Sequence, residues 1–186
     1  IFNNKYFFSA SNAENLSFVI ELAKKFGVKK SNLIKAVKKF KGLNYRQQII
    51  FESKDISIIN DSKSTSYSSS IEMLKRKNNI YWLLGGIPKI GDKFNLSQNN
   101  YQNIKGYIFG SYQKKFSLDL KNKIKIKKFF NLSKALNELF KDIKKDNSSR
   151  KTILFSPAAA SFDNFKNFED RGQYFNKIIK KYTYVK

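Results

Sequence analysis

The first forty residues carry apolar positions at helical spacing. Residues 12–26 predict one helix, and residues 31–40 predict a second helix with Ser31 as its cap. Gly27 and Gly42 follow these segments, where glycine commonly ends a helix. The predicted apolar face of the first helix consists of Leu16, Val19, Ile20 and Ala23. A pair of helices is therefore expected to open the chain.

After Arg46 the pattern changes to short apolar runs separated by amphipathic segments. The runs that predict strands are residues 47–53, 56–61, 80–86, 105–110, 123–129 and 151–157. The segments that predict helices are residues 66–76, 132–143 and 168–182. The first two strands predict a hairpin that turns at Lys54, and the Ile-Lys alternation in 123–129 indicates an edge strand. This order predicts an α/β fold, a Rossmann-like doubly wound sheet with helices on both faces.

The boundary between the helical pair and the α/β part falls in the segment GLNYR, residues 42–46. A chain of 186 residues has room for one full domain and a remainder. It begins with Ile1, without a signal peptide, and no apolar run approaches the roughly 20 residues that span a bilayer. We expect a piece of a longer cytoplasmic protein, with residues 1–43 and 44–186 in different domains.

The chain contains no cysteine and no histidine. This excludes disulfides, thiolate nucleophiles, imidazole bases and the usual zinc sites, and no metal site is predicted. Chemistry at any site must therefore come from carboxylates, hydroxyls, lysine, arginine and backbone amides.

The formal net charge is +23, which by itself indicates a polyanionic partner. The excess is mostly lysine in a chain also rich in Asn, Ile and Phe, all residues with A/T-rich codons, so genome base composition is an alternative source of the bias. No RNP-like aromatic motif or helix-turn-helix accompanies the charge. Nucleic-acid binding remains an alternative that rests on charge alone.

Polar or glycine-rich segments follow three of the predicted strands, at the edge where doubly wound sheets bind ligands. After the second strand, Lys63, Thr65 and Ser66 lie at the start of a helix, where free amides attract anions. Asp61, in the same segment, is a candidate acceptor for ribose hydroxyls or for a basic side chain. The alternative is a capped helix with solvated charges, and this segment alone does not decide between the two.

The other two strand ends add glycines, a lysine and small residues. Gly85 and Gly86 allow close approach to the sheet end, and Lys89 follows them, although paired glycines also form ordinary tight turns. The last strand leads into small residues, 156–161, and then into a helix that Asn167 can cap. Together these ends predict a site for a small ligand with more than one carboxylate.

Four motifs in the same order resemble the C-terminal domain of the Mur ligase family, most closely its D-glutamate-adding branch. They are GLNYR at 42–46, INDSKST at 59–65, LLGGIPK at 83–89 and SPAAASFDNFKNFEDRG at 156–172. The segment SNAEN at 11–15 resembles a helix that closes the family's central ATP-binding domain. The resemblance thus covers essentially the whole chain, with residues 1–43 as C-terminal helices of that central domain and 44–186 as the D-glutamate-binding domain.

The resemblance implies a role for each matching position. Thr65, Lys89, Ser161 and the backbone amide of Phe168 would hold the D-glutamate carboxylates. Lys63 would be the catalytic lysine near the phosphate or acyl group. The nucleotide contacts would be Arg46, Asp61 and Asn12.

The implied reaction activates the carboxylate of UDP-N-acetylmuramoyl-L-alanine with ATP and Mg²⁺, and the D-glutamate amine attacks the acyl phosphate. Another Mur ligase or a folylpolyglutamate-type synthetase would share the fold and part of the mechanism. Ser11 and Tyr45 stand where the family usually has histidine, and Ala159 replaces a cysteine. The chain has no G-x-x-x-x-G-K-[ST] phosphate loop. We therefore expect a monomeric fragment that is inactive alone, with ATP and Mg²⁺ bound mostly by residues outside it.

Overall fold

The computed structural model describes residues 4–183, which fall into two compact units that meet between Leu43 and Asn44. None of the helices in this range combines the length and the apolarity needed to cross a bilayer.

The N-terminal unit consists of a 3₁₀ turn at Lys5–Phe8 and two helices, α1 (Ala10–Lys25) and α2 (Lys30–Lys39). The Ser9 side chain caps α1 by accepting from the amide of Asn12, 3.1 Å away. Gly27, with φ of 68°, lies directly beyond the α1 C-cap as expected. The unit is therefore an αα pair, as the apolar spacing predicted.

Two details of this unit differ from the sequence prediction. Lys29 is the N-cap of α2 and makes no side-chain capping bond, so Ser31 lies inside the first turn and is not the cap. Only Leu16 of the predicted α1 face is buried, whereas Val19 is 54% exposed. Helical spacing identifies a face, but burial depends on what packs against it.

The second unit is built on a six-stranded sheet. Its strands are β1 (Gln48–Glu52), β2 (Ile56–Asn60), β3 (Ile80–Gly85), β4 (Ile104–Phe109), β5 (Lys125–Phe129) and β6 (Lys151–Phe155). Its helices are α3 (Tyr67–Arg76), α4 (Gln113–Leu120), α5 (Leu132–Lys145) and α6 (Phe168–Thr183), with a further 3₁₀ segment at Gln98–Asn103. All six strands were predicted, whereas α4 was missed.

The strand order is β1-β2-β6-β3-β4-β5, and only the β1–β2 hairpin is antiparallel. From β3 the chain runs outward through β4 to the edge strand β5, then returns to place β6 on the other side of β3. This reversal makes the gap between β3 and β6 a topological switch point, where open α/β sheets bind ligands. The prediction of a Rossmann-like α/β fold is confirmed.

Two apolar clusters cover the two faces of the sheet. Successive strand residues point to opposite faces, so Trp82 packs with α3 and α4 while Leu83 packs with α5 and α6. Trp82 and Leu83 are fully buried, as expected for a central parallel strand covered on both sides. The core holds the carboxyl ends of β2, β6 and β3 side by side.

Candidate functional site

The loops that follow β3 and β6 are joined at the switch point. The Gly85 amide donates to the carbonyl of Pro157 at 3.0 Å. Ile87 and Ala160 exchange two backbone hydrogen bonds of 2.9 Å each. This short antiparallel bridge fixes the glycine loop against the small-residue loop, so their positions are set together.

Gly86 is required at this junction. Its φ is +126°, and a Cβ added there would lie 2.2 Å from the carbonyl oxygen of Ala160. The sequence prediction that these glycines permit close backbone approach is therefore confirmed.

Arg171 connects the loop after β2 with the first turn of α6. Its Nε donates to Ser62 Oγ at 3.1 Å and its Nη2 donates to the Ser62 carbonyl at 2.7 Å. Ser62 Oγ in turn donates to the carbonyl of Phe168 at 2.8 Å. This network joins the end of β2 to the first turn of α6, the helix that follows the loop after β6.

The Arg171 guanidinium is fully buried, and burial lowers its pKa to about 10. Within residues 4–183 its Nη1 has no hydrogen-bond partner and the side chain forms no ion pair. A Cβ added to Gly86 would lie 3.1 Å from that same Nη1. A positive charge without a direct ion pair thus lies beneath the glycine loop, with the carboxyl groups of Asp163 and Asp61 near enough to act against the lowering of its pKa, and it favours an anionic ligand.

Asp61 lies at the end of β2 and is only 6% exposed. One carboxylate oxygen accepts from the Gln47 amide at 3.0 Å, and the other accepts from Ser156 Oγ at 2.8 Å. Burial raises the pKa of Asp61 to about 7, although these bonds and the nearby Arg46 act to lower it. Its carboxyl group therefore changes charge near neutral pH.

A chain of serine hydroxyls leads from Asp61 to the start of α3. Ser156 Oγ lies 2.8 Å from Ser70 Oγ, which lies 2.7 Å from Ser64 Oγ. Ser64 Oγ is 2.9 Å from Ser69 Oγ at the protein surface. The chain links the ends of β2 and β6 to the start of α3 through mutually polarising hydrogen bonds.

The start of α3 differs from the predicted anion site. The Tyr67 amide donates to the Asp92 carboxylate, and the Ser69 amide donates to Ser66 Oγ at 3.3 Å. Protein acceptors therefore occupy amides that the sequence assigned to a ligand. The local sequence did not indicate that the Asp92 carboxylate, from another loop, accepts from this helix start.

The start of α6 agrees with the prediction. The Asn167 side chain caps the helix by accepting from the Asp170 amide at 2.8 Å. The amides before that bond, those of Phe168 and Glu169, belong to the first turn, which lacks intrahelical partners. Of the two helix starts predicted to bind anions, those of α3 and α6, the α6 start is therefore the one whose first amides are available to a ligand.

The structure brings Lys63 against Phe168, with Nζ 4.1 Å from the ring centroid. Ser161 is buried in the loop after β6, where its carbonyl accepts hydrogen bonds from the amides of Asn164 and Phe165. Thr65 is exposed on the loop after β2, and Lys89 is exposed on the loop after β3. The predicted D-glutamate residues are thus distributed over three adjoining strand ends.

The residues predicted to contact nucleotide lie apart in the chain. Arg46 is exposed just before β1, and Asp61 is buried at the end of β2. Asn12 belongs to the N-terminal unit, where its side-chain amide donates to the Tyr6 carbonyl at 2.8 Å. Their shared role stays a prediction.

Sequence reasoning did not single out Arg171. Its position shares a helical face with the buried residues Phe175, Ile178 and Ile179. A charged residue on an otherwise apolar face was the available signal, because arginine is rarely buried without a function or a partner.

Within the described part of the chain, no group of three or more acidic side chains could hold a metal ion.

No protein-family model matches the chain. The chain is 35% identical over 179 residues to the UDP-N-acetylmuramoylalanine–D-glutamate ligase of Rickettsia felis, covering 96% of this chain and 40% of that protein. The ligase of the same name from Wolbachia pipientis wMel is 33% identical over 174 residues, covering 94% of this chain and 34% of that protein. The chain thus spans about two-fifths or less of the length of these curated relatives.

Solved structures share the fold. MurC, the UDP-N-acetylmuramate-alanine ligase of Thermotoga maritima, matches with a TM-score of 0.63 and 17% identity, over 96% of this chain and 39% of that one. MurF from Acinetobacter baumannii matches with a TM-score of 0.65 and 16% identity, over 92% and 38%. The chain is thus similar in sequence, along nearly its whole length, to about two-fifths or less of the D-glutamate ligases, and its fold is the one found in these Mur ligase structures.

Proposed function

We propose that the chain is the C-terminal part of the ATP-dependent ligase that adds D-glutamate to UDP-N-acetylmuramoyl-L-alanine in peptidoglycan synthesis. Residues 44–186 would form the domain that binds D-glutamate, and residues 1–43 would be the last helices of the central ATP-binding domain. The relatives' names support this assignment, because they are ligases of that reaction.

The observation that carries the proposal is the meeting of three basic or amide-rich strand ends at the switch point. Lys63, Lys89 and the start of α6 all belong to it, with Arg171 buried beneath. D-glutamate has two carboxylates and one amine, so it needs two anion contacts and a free direction for the nucleophile. This arrangement supplies positive charge on more than one side.

We assign the carboxylate contacts to Thr65, Lys89, Ser161 and the Phe168 amide. The Phe168 amide lies in the free first turn of α6, where a carboxylate is favoured by the helix dipole. Lys89 is exposed and follows the glycine loop, which is bonded to the loop that leads to that turn, so we assign its ammonium to the same ligand. Fixing the amino acid in one orientation is the main contribution that this domain would make to the rate.

Lys63 would act near the acyl group under attack. Its ammonium lies over the Phe168 ring, which directs the charge toward the start of α6. A positive charge held there would stabilise the negative charge that develops as the amine adds to the acyl phosphate. Arg46, Asp61 and Asn12 would contact the nucleotide, Asp61 through lone pairs that its two internal hydrogen bonds leave free.

ATP and Mg²⁺ would supply carboxylate activation in the complete enzyme. The chain contains no phosphate-binding loop, and its described residues offer no acidic cluster for a metal. The residues present therefore do not fit the binding of the metal, and the share of this chain is acceptor binding. We expect the chain alone to show no ligase turnover.

The complete gene product tests the proposal. ADP release should depend on UDP-N-acetylmuramoyl-L-alanine and on D-glutamate, and L-alanine or L-lysine should not replace D-glutamate. Equal rates with all three amino acids would favour another Mur or folylpolyglutamate-type ligase. Absence of nucleotide-dependent turnover with each of them would refute a ligase.

The acceptor contacts are tested in the same protein by Lys89→Met. We expect KM for D-glutamate to rise about tenfold or more, because a charge-assisted contact to a carboxylate is lost. Lys145→Met is the matched control, since Lys145 is an exposed lysine at the far end of α5. Equal KM values for the two variants would remove Lys89 from the site.

A further inference from the structure

A cavity of about 910 Å³ opens at the carboxyl ends of β4 and β5. Gly110, directly after β4, forms its inner wall, and Phe130 and Asn131, directly after β5, form another side. A Cβ added to Gly110 would lie 3.0 Å from Asp163 Oδ2, 3.6 Å from Asn164 Nδ2 and 3.9 Å from the Gly86 amide. The cavity therefore adjoins the candidate site but is lined by different side chains.

The walls of this cavity are positively charged. The lining residues include three lysines and no carboxylate: Lys114, Lys121 and Lys128. None of the three forms an ion pair within residues 4–183. These lysines thus have no direct ion-pair partner in the described structure, and the Asp163 carboxylate lies behind the Gly110 and Asn164 side of the cavity.

Neighbouring lysines of the same elements behave differently. Three of them, on β4, α4 and β5, are ion-paired with aspartates at 2.6–2.8 Å: Lys105, Lys115 and Lys127. Pairing is therefore available in this part of the fold. The three cavity lysines lack it in the described structure, as do Lys123 and Lys125 nearby, and what sets the three apart is that they line one cavity.

The cavity is also held open by its own framework. Gln113 Nε2 donates to the carbonyls of Gly110 at 2.9 Å and Phe129 at 2.7 Å, which clamps the ends of β4 and β5 together. The Asn131 side chain caps α5 by accepting from the Lys134 amide, and the first turn of α5 has no acidic residue. The positive end of the helix dipole thus adds to the charge of the lysines.

An apolar side accompanies the charge. Phe130 is 79% exposed and Leu118 is 64% exposed, and both line the cavity together with Ile126. An exposed aromatic ring beside lysines is the combination that binds a base by stacking and its phosphates by charge.

We propose that this cavity is a binding site for a nucleoside polyphosphate. Three unpaired lysines suit two or more phosphate groups, and Phe130 suits the base. The volume falls within the range of small-ligand pockets, and the carboxyl edge of a doubly wound sheet is where nucleotides bind in other proteins. The site does not depend on the proposed ligase function.

A small nucleotide fits better than a nucleic acid. The charges surround one cavity of finite volume, whereas a single strand is bound along a groove with successive stacking residues. Free nucleotides and inorganic pyrophosphate present the same phosphate groups to the lysines. Stacking of a base on the Phe130 ring is the contact that distinguishes a nucleotide from pyrophosphate.

The 186-residue chain should be titrated with ADP and with inorganic pyrophosphate by calorimetry. Replacing Lys114, Lys121 and Lys128 together with glutamine should weaken both ligands about tenfold or more. Phe130→Ser should weaken ADP several-fold and leave pyrophosphate unchanged. Replacing Lys35, Lys38 and Lys39 with glutamine is the control, because these exposed α2 lysines give the same change in net charge.

Three outcomes would overturn the proposal. Equal losses in the two triple variants would show that net charge alone attracts the ligand. Tighter binding of a single-stranded oligonucleotide than of ADP, through the same lysines, would identify a nucleic-acid surface. Amide chemical-shift changes on adding ADP to the unmodified chain must include Ser111 and Asn131, and changes elsewhere alone would exclude the cavity whatever the variants' stability.

Discussion

Gly86 decides at the level of a single residue whether the two central loops can meet. Replacing it with alanine forces a Cβ to within 2.2 Å of the Ala160 carbonyl at a φ of +126°. We expect Gly86→Ala to lower the free energy of unfolding by roughly 2–4 kcal/mol, because strain and a backbone clash combine. Urea denaturation measures this change.

Gly91→Ala is the control for Gly86→Ala. Gly91 also has positive φ, +75°, but nothing lies within 4 Å of an added Cβ. Its cost should be limited to backbone strain, about 1–2 kcal/mol. Similar losses for the two variants would mean that the Gly86–Ala160 contact relaxes without cost.

Asp61 gives stability a dependence on pH. Its folded pKa is about 7 and its ordinary value is 3.8, so the folded state binds the proton more tightly. Its contribution to stability is therefore complete below about pH 4 and is lost as the pH rises toward 7. Asp163 acts in the same direction, because burial raises its pKa also.

We predict that Asp61→Asn removes part of the fall in stability between about pH 4 and pH 7, where one group contributes up to about 1.4 kcal/mol per pH unit. Asparagine keeps an oxygen for the Gln47 amide and an amide group beside Ser156. Denaturant midpoints measured across this range test the effect. An unchanged slope in Asp61→Asn, with a flattened slope in Asp163→Asn, would assign the titration to Asp163.

At the level of elements, α6 is positioned by close contact with the segment before β1. A Cβ added to Gly172 would lie 2.3 Å from Cδ1 of Tyr45, and Asn60 Nδ2 donates to the Gly172 carbonyl at 3.0 Å. The helix start that would bind a carboxylate therefore depends on segments far away in sequence. Only folding brings Tyr45 to Gly172.

Gly172→Ala tests that packing. Within a helix, alanine is normally more stable than glycine by about 1 kcal/mol, but here the Tyr45 ring occupies the space. We expect the substitution to destabilise the protein, and to become neutral or stabilising in a Tyr45→Gly background. Unfolding free energies of the four proteins form a double-mutant cycle, and additive effects would contradict the contact.

The elements also show what periodicity could and could not predict. Strands β3 and β6 were evident because each is a short apolar run buried on both faces. Helix α4 was missed because its apolar positions are few, and Phe116 and Leu120 supply its buried residues. The α3 anion site was predicted from local sequence, whereas Asp92, 25 positions after Tyr67, already binds there.

For the whole molecule, the net charge of +23 opposes the compact state through self-repulsion. Raising NaCl from about 0.02 M to about 0.2 M screens that repulsion, so we expect the unfolding temperature to rise. Calorimetry at the two concentrations checks the sign. A lower unfolding temperature in salt would mean that ion pairs such as Lys127–Asp142 outweigh the overall repulsion.

The sequence by itself determined the α/β class, the strand ends that carry Lys63, Lys89 and Ser161, and the resemblance to Mur ligases. Those features depend on local periodicity and on motifs contiguous in the chain. Tertiary structure alone decided that Arg171 is buried beneath Gly86, and that Asp61 connects to a chain of serines. Such contacts join residues from separate strand ends, and no local pattern encodes which distant groups share a buried space.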